Sequence, residues 1–269
     1  MDQQDPSRRQ YDQYGQPVQI TFGQKLKKVL APMGAVLIVL LKYLKFGLPV
    51  LKTGGSMILA IWVYALVWGW QFAVGFVLLI FVHECGHLIA AKRIGLKVGA
   101  PVFIPFMGAL IALKEAPRNA WIEAQVGIGG PLLGTVGAAV CELIYLATGN
   151  LMYRGLAYTG FFLNLFNLAP IGFLDGGRIV TALSPWLWLV GFAIMAAMMF
   201  QHFNFIVVLI LIFSLPRLFS LFRPKSETER RYFEVTPVQR WTMAALYFGL
   251  IILLVLGMQA THIDRESLQ

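Results

Sequence analysis

The chain has 269 residues, of which 58% are hydrophobic and 13% are charged, and its formal net charge is +9. Soluble globular domains carry about 25% charged residues, so the low charged fraction and the long apolar runs indicate a polytopic membrane protein. The Lys and Arg residues stand mainly at the ends of apolar runs rather than in one patch. This distribution favours contact with a lipid bilayer and gives no reason to expect a nucleic acid partner.

The N-terminal part of the chain precedes the long apolar segments. Residues 1–28 are polar, and the short hydrophobic region of a secretory signal is absent near their start. They are predicted to form a cytoplasmic tail. Residues 29–55 include an apolar run of a dozen residues with lysines on both sides, which is typical of an interfacial or short membrane helix.

Seven later segments are apolar enough to be read as membrane helices, and the sequence therefore predicts an all-α membrane protein, a polytopic transmembrane helix bundle of about six to seven spans. These segments are 57–70, 71–91, 123–147, 153–169, 186–200, 205–222 and 241–258. The predicted core covers residues 56–222. A charged cytoplasmic loop at 223–240 and a last transmembrane helix with a C-terminal tail at 241–269 follow it.

Basic clusters set the predicted orientation. If the spans alternate in direction, three clusters of Lys and Arg fall on the same side, and such clusters mark the cytoplasmic face. The sequence thus predicts a multi-pass protein of the cell membrane with a cytoplasmic N-terminus.

The segment at 100–115 does not fit a helix. It contains Pro101, Pro105 and Gly108, and it is too short to span a membrane as one helix. A short membrane-embedded β-hairpin or re-entrant segment is predicted here. Irregular backbone at that depth is tolerated only when it is buried in protein or lines a wet cavity, so the segment is expected to border a functional site.

A potential metal site lies in the second predicted span. His83 and His87 are four residues apart and share one face of a helix, so both imidazoles can reach one ion. Glu84 lies beside them, in a position to accept a proton from water. Two His and one carboxylate with an open fourth position form a catalytic zinc site. His87 precedes Lys92 by five residues, which places the site about 7 to 14 Å below the cytoplasmic surface.

Asp175 is the candidate third ligand. It is the one aspartate between the two tails, and it follows the fourth predicted span, which returns toward the cytoplasmic half. Pro170 and the glycines after Asp175 break the helix on both sides. The alternative is a helix-end aspartate that pairs with Arg178.

These residues resemble the site-2 protease family of intramembrane zinc metalloproteases. That family pairs a His-Glu-x-x-His helix with a later Asn-x-x-Pro-x-x-x-Leu-Asp-Gly motif. The matching residues are His83, Glu84 and His87 for the first motif, and Asn167, Pro170, Leu174, Asp175 and Gly176 for the second.

The resemblance implies that Asp175 is the third ligand of one catalytic zinc ion and that Asn167 contacts the substrate backbone or the developing oxyanion. It also implies that the run Gly129–Pro131 is the family's small-residue helix. Many members have prolines where this chain has Gly172 and Phe173.

The predicted function is hydrolysis of peptide bonds within or near transmembrane segments of membrane-protein substrates, with Glu84 as general base and the strand edge at 100–115 holding the unwound peptide. Two alternatives use the same residues. One is a divalent metal transporter in which His and Asp form a transit site, and the other is an inactive membrane scaffold of the same fold. The sequence leaves the oligomeric state undetermined.

Overall fold

The computed structural model describes residues 53–105, 108–113, 115–201 and 205–263. The predicted tail at 1–28 and nearly all of the predicted helix at 29–55 lie outside these ranges, as do the last six residues of the C-terminal tail.

The described part of the chain is mostly helical, with one pair of strands between the second and third helices. The elements in order are α1 (Thr53–Trp68), α2 (Trp70–Arg93), β1 (Val98–Ile104), β2 (Gly108–Leu113), α3 (Ala120–Thr148), α4 (Leu151–Asn167), α5 (Asp175–Leu183), α6 (Leu187–Gln201), α7 (Phe205–Phe219), a 3-10 turn (Ser220–Phe222), α8 (Glu227–Tyr232) and α9 (Pro237–Ala260).

Three of the described helices, α2, α3 and α9, are long and apolar enough to cross a membrane. Shorter apolar helices cover Thr53–Trp68, Leu187–Met199 and Val207–Phe222. The composition and these helices are those of a multi-pass membrane protein. The larger number of six to seven crossings stays a prediction.

Helices α2 and α3 form the centre of the fold, and α4 and α5 pack on α3. Glycines allow α2 and α3 to approach closely: a Cβ atom at Gly86 would overlap the backbone of Gly129 and Gly130, and a Cβ at Gly129 would lie 2.6 Å from the Gly86 carbonyl oxygen. Small residues at such crossings bring the backbones of membrane helices into contact. The side chains that α2 and α3 carry toward each other are therefore held at a fixed spacing.

Strands β1 and β2 pair antiparallel, with Phe103 opposite Ala109 and an irregular register between Val98 and Pro101. The hairpin packs against α1 and α2. The backbone N–H of Phe103 donates to the Ser56 hydroxyl at 3.1 Å, which ties β1 to the first turn of α1. Two strands thus occupy the segment where prolines and a glycine argued against a helix. Their depth in a membrane stays a prediction.

The chain between α4 and α5 is fixed from two sides. The Tyr247 hydroxyl of α9 donates to the Leu168 carbonyl at 2.6 Å, just after α4 ends. The Trp188 indole N–H donates to the Gly177 carbonyl at 2.8 Å, in the first turn of α5. These two bonds anchor the chain just after α4 and in the first turn of α5. Helix α5 begins at Asp175.

Candidate metal centre

Helix α2 carries both histidines of the first motif on the face that meets α3. The rings of His83 and His87 are buried, and their Nε2 atoms are 3.1 Å apart. The spacing of four residues gives this arrangement directly, because such residues stand one turn apart on one helical face.

Asp175 completes a group of three donor atoms. Its Oδ2 lies 3.1 Å from His83 Nε2 and 3.2 Å from His87 Nε2. The carboxylate sits at the first residue of α5, where the free N–H groups of the helix favour negative charge. The structure thus brings together the two segments that were expected to converge, and the partners of Asp175 are the histidines, not Arg178 as in the alternative.

The hydrogen bonds of the two imidazoles determine which ring nitrogen carries the proton. His87 Nδ1 lies 2.7 Å from the Val126 carbonyl, and His83 Nδ1 lies 2.7 Å from Asn164 Oδ1. Both partners are acceptors, so each Nδ1 carries the proton and each Nε2 presents a lone pair. Two lone pairs and a carboxylate oxygen that face one another are stabilised by a cation between them.

The spacing of these atoms also fits the zinc ion expected from the sequence. Donors at the corners of a tetrahedron with bonds of about 2.0 Å are about 3.3 Å apart. The observed separations of 3.1 to 3.2 Å come close to this value. His83, His87 and Asp175 are also the one group of three metal-ligating side chains found within the described ranges.

Glu84 and Asn167 border the same cavity as the three donors. Glu84 is buried, and Asn167 is half-buried with its Nδ2 donating to the Leu163 carbonyl at 3.1 Å. The hairpin contributes Val98, Gly108 and Ala109 to the wall, and Arg178 of α5 also lines the cavity. The general-base role of Glu84 and the substrate contact of Asn167 stay predictions.

Comparison with known proteins gives a match over the segment that carries the first motif. The sequence model of peptidase family M50 matches residues 71–151. This range contains the first motif and ends before the second. The match confirms the resemblance to the site-2 protease family.

Three relatives have names that agree with this family. The zinc metalloprotease MJ0392 of Methanocaldococcus jannaschii is 34% identical over 119 residues, which cover 41% of this chain and 34% of that protein. The probable chloroplastic zinc metalloprotease EGY2 of Arabidopsis thaliana is 28% identical over 153 residues, which cover 40% of this chain and 27% of that protein. The putative zinc metalloprotease Rip3 of Mycobacterium tuberculosis is 32% identical over 114 residues, which cover 39% of this chain and 28% of that protein. The aligned part therefore spans about a third or less of each relative.

The small-residue helix that the site-2 protease resemblance implied lies directly against the donor atoms. A Cβ atom at Gly130 would overlap His87 Nε2 and would lie 2.8 Å from His83 Nε2. The sequence indicated this glycine run only as part of that small-residue helix. Its contact with both imidazoles depends on how α3 is rotated against α2, which the sequence does not specify.

Asn164 was not singled out in the sequence, yet it contacts a candidate ligand. Its Oδ1 accepts from His83 Nδ1 at 2.7 Å, and its side chain is fully buried. A polar residue in a predicted membrane segment, such as 153–169, is itself a signal of function. Asn164 lies about one turn before Asn167, which is the asparagine that matches the family motif.

A second polar cluster supports the loop before Asp175. Arg217 of α7 donates to the Gly172 carbonyl at 2.8 Å and pairs with Glu123 of α3 at 2.6 Å. Gly172 has a φ of 53°, which proline cannot adopt. A proline at this position would therefore require a different loop conformation.

The predicted charged loop at 223–240 reaches the same cluster. The Tyr232 hydroxyl of α8 donates to Glu123 Oε2 at 2.7 Å. Burial, followed by the negative charge of Glu123, raises the pKa of Tyr232, so its phenol stays protonated and continues to donate. Glu123 thus holds the cation of Arg217 and the phenol of Tyr232 against α3.

Arg217→Ala is expected to lower the stability of the protein. The substitution leaves the carboxylate of Glu123, whose side chain is 13% exposed, without its cation and frees the Gly172 carbonyl. The expected loss is on the order of 2 kcal/mol, measured as a lower melting temperature of the purified protein in detergent. Arg231→Ala is the matched control, because its pair with Glu227 is exposed. Equal melting temperatures for the two variants would contradict the structural role of Arg217.

Proposed function

We propose that the chain is a zinc metalloendopeptidase that hydrolyses peptide bonds within or near transmembrane segments of membrane-protein substrates. The observation that supports this function most is the convergence of His83, His87 and Asp175 on one point beside Glu84, among apolar helices. The zinc metalloproteases among the relatives support both the metal and the reaction class.

Each residue of the site has one part in the reaction. His83, His87 and Asp175 hold the zinc ion, which when bound supplies a Lewis acid that favours attack by water near neutral pH. Glu84 takes a proton from the attacking water as oxygen bonds to the carbonyl carbon, and passes that proton to the nitrogen as the C–N bond breaks. Asn167 contacts the substrate backbone or the oxyanion from the cavity wall.

The β-hairpin provides a place for the substrate. A transmembrane helix hides its carbonyl groups in hydrogen bonds, so a segment must unwind before water can attack it. Gly108 and Ala109 at the start of β2 line the cavity together with Glu84. An unwound peptide that pairs with the hairpin as a further strand would lie along this wall. Substrates with helix-breaking residues near the cut are therefore preferred.

The active site lies in the cytoplasmic half of the bilayer, with the N-terminus in the cytoplasm. Lys92 and Arg93 form the last turn of α2, and basic residues mark the cytoplasmic ends of membrane helices. His87 precedes them by little more than a turn, about 7 Å along the helix. Water reaches this depth from the cytoplasmic side.

Reconstitution tests the proposal. The purified protein is placed in vesicles with a single-pass membrane protein that contains Gly and Pro in its span, and fragments are identified by mass spectrometry. We expect cleavage within or near the span, its loss on treatment with a zinc chelator, and its return on addition of zinc. Cleavage that persists after complete removal of metal would contradict the proposal. Zinc uptake into the same vesicles without any cleavage would instead support the transporter alternative.

A further inference from the structure

Asn164 of α4 stands at the centre of a chain of hydrogen bonds that ends at the candidate metal centre. Its Nδ2 donates to the Gly160 carbonyl at 2.7 Å, and its Oδ1 lies 2.7 Å from His83 Nδ1. A backbone carbonyl only accepts, so the contact with Gly160 fixes the amide with its nitrogen toward α4 and its oxygen toward His83.

The orientation of the amide determines the state of the imidazole. Because Oδ1 of Asn164 is an acceptor, His83 Nδ1 must carry the proton, and His83 Nε2 is left with a lone pair directed at Asp175 Oδ2, 3.1 Å away. His87 obtains the same tautomer from the Val126 carbonyl. The side-chain amide of Asn164 on α4 thus accepts a hydrogen bond from His83 Nδ1, as the backbone carbonyl of Val126 on α3 does from His87 Nδ1.

The fold leaves room for this amide at one position of α3. A Cβ atom at Gly134 would overlap Asn164 Oδ1 and would lie 2.7 Å from its Nδ2. Asn164 is fully buried, so no solvent competes for its hydrogen bonds. The amide is therefore held by its own helix on one side and enclosed by α3 on another.

We propose that Asn164 is a positioning residue that fixes His83 in the Nδ1–H tautomer and aims Nε2 at the zinc ion. This inference rests on the proposed function, since it assumes that His83 binds the metal. Partners of this kind orient a histidine ligand and raise its basicity, and their loss weakens metal binding about 10- to 100-fold.

The test compares two replacements of Asn164 by zinc competition with a chromophoric chelator. Asn164→Leu keeps the approximate size but removes the acceptor, and we expect its zinc dissociation constant to rise about 10- to 100-fold. Asn164→Asp keeps an acceptor oxygen toward His83 and is expected to bind zinc as tightly as the wild type or more tightly. Thr159→Val is the control, because Thr159 bonds only to its own helix at Gly155 among the contacts described; we expect unchanged affinity.

Histidine-selective nitrogen-15 NMR of the wild-type protein provides a measurement that needs no replacement of Asn164. The chain has 4 histidines, and the shifts of Nδ1 and Nε2 report the tautomer of each ring. We expect a hydrogen-bonded Nδ1–H for His83, assigned by its loss in His83→Gln. A ring protonated at Nε2 and not at Nδ1 would overturn the inference, even if Asn164→Leu failed to fold.

The outcomes separate this inference from the proposed function. Equal zinc affinity of Asn164→Leu and the wild type would overturn the positioning role and leave the metal centre in place. Equally weak binding by Asn164→Leu and Asn164→Asp would also overturn it, because the acceptor would then not be what matters. A wild-type protein that binds no zinc would overturn the proposed function itself.

Discussion

Replacing Glu84 with glutamine will abolish peptide hydrolysis while the purified protein keeps one zinc ion per chain. Glutamine retains the size of the side chain but cannot accept a proton from water. Glu84 is not among the three converging donors, although it borders the same cavity. General-base catalysis contributes about 10²- to 10⁴-fold to a rate, so cleavage of a membrane substrate in vesicles should fall by at least that factor.

The matched control for this variant is Glu227→Gln, which makes the same chemical change at an exposed position of α8. It should cleave at the wild-type rate. Two results would contradict the assignment of Glu84: cleavage by Glu84→Gln at a rate close to that of the control, or loss of zinc together with loss of activity. The second result would mean that the carboxylate belongs to the metal shell.

Replacing Gly130 with alanine will remove the zinc ion although all three proposed ligands stay in the sequence. The added methyl group would overlap His87 Nε2 and would lie 2.8 Å from His83 Nε2, in the space that a metal between them needs. Moving the helices apart to make room would break the close backbone contact at Gly86 and Gly129. We expect well below one zinc per chain by elemental analysis, and loss of cleavage.

Gly137→Ala serves as the control on the same helix. Its methyl group would meet Val82 Cγ1 at 3.1 Å, an apolar side chain that can shift slightly. The control should retain zinc and activity. If Gly130→Ala purified with a full complement of zinc, the close approach of α3 to the imidazoles would be wrong, and with it the geometry of the site.

The three candidate ligands could be predicted from the sequence because each depends on a short-range rule. Four residues between His83 and His87 correspond to one helical turn, and Asp175 stood out as the one aspartate between the two tails. The break after α4 followed from Pro170, but the prediction that the glycines after Asp175 break the helix a second time was wrong, because Gly176 and Gly177 lie in the first turn of α5. The structure ends α4 at Asn167 and begins α5 at Asp175.

The groups around the ligands could not be predicted in the same way. Asn164, Gly130 and Arg217 act across helix contacts, and those contacts depend on the rotation and spacing of packed helices. Sequence periodicity gives the apolar face of a helix only when the opposite face is polar. Helices α3 and α4 carry apolar residues on most of their faces, so this signal orients them only weakly.

The loop at 223–240 also makes a contact that the sequence could not predict. Its charge pattern indicated solvent exposure, and most of its side chains are indeed exposed. Tyr232 is half-buried, and its hydroxyl reaches Glu123 on α3, more than a hundred residues earlier in the chain. A contact over such a separation follows from the tertiary fold and leaves no local pattern.

X-ray absorption at the zinc K-edge of the purified wild-type protein tests the metal centre most directly. We expect one zinc ion per chain with a shell of nitrogen and oxygen at about 2.0 to 2.1 Å and the outer scattering of two imidazoles. A sulfur shell at about 2.3 Å would place the metal on Cys85 or Cys141 instead. That result, or a protein that retains no zinc, would contradict the convergence of His83, His87 and Asp175 on a catalytic ion.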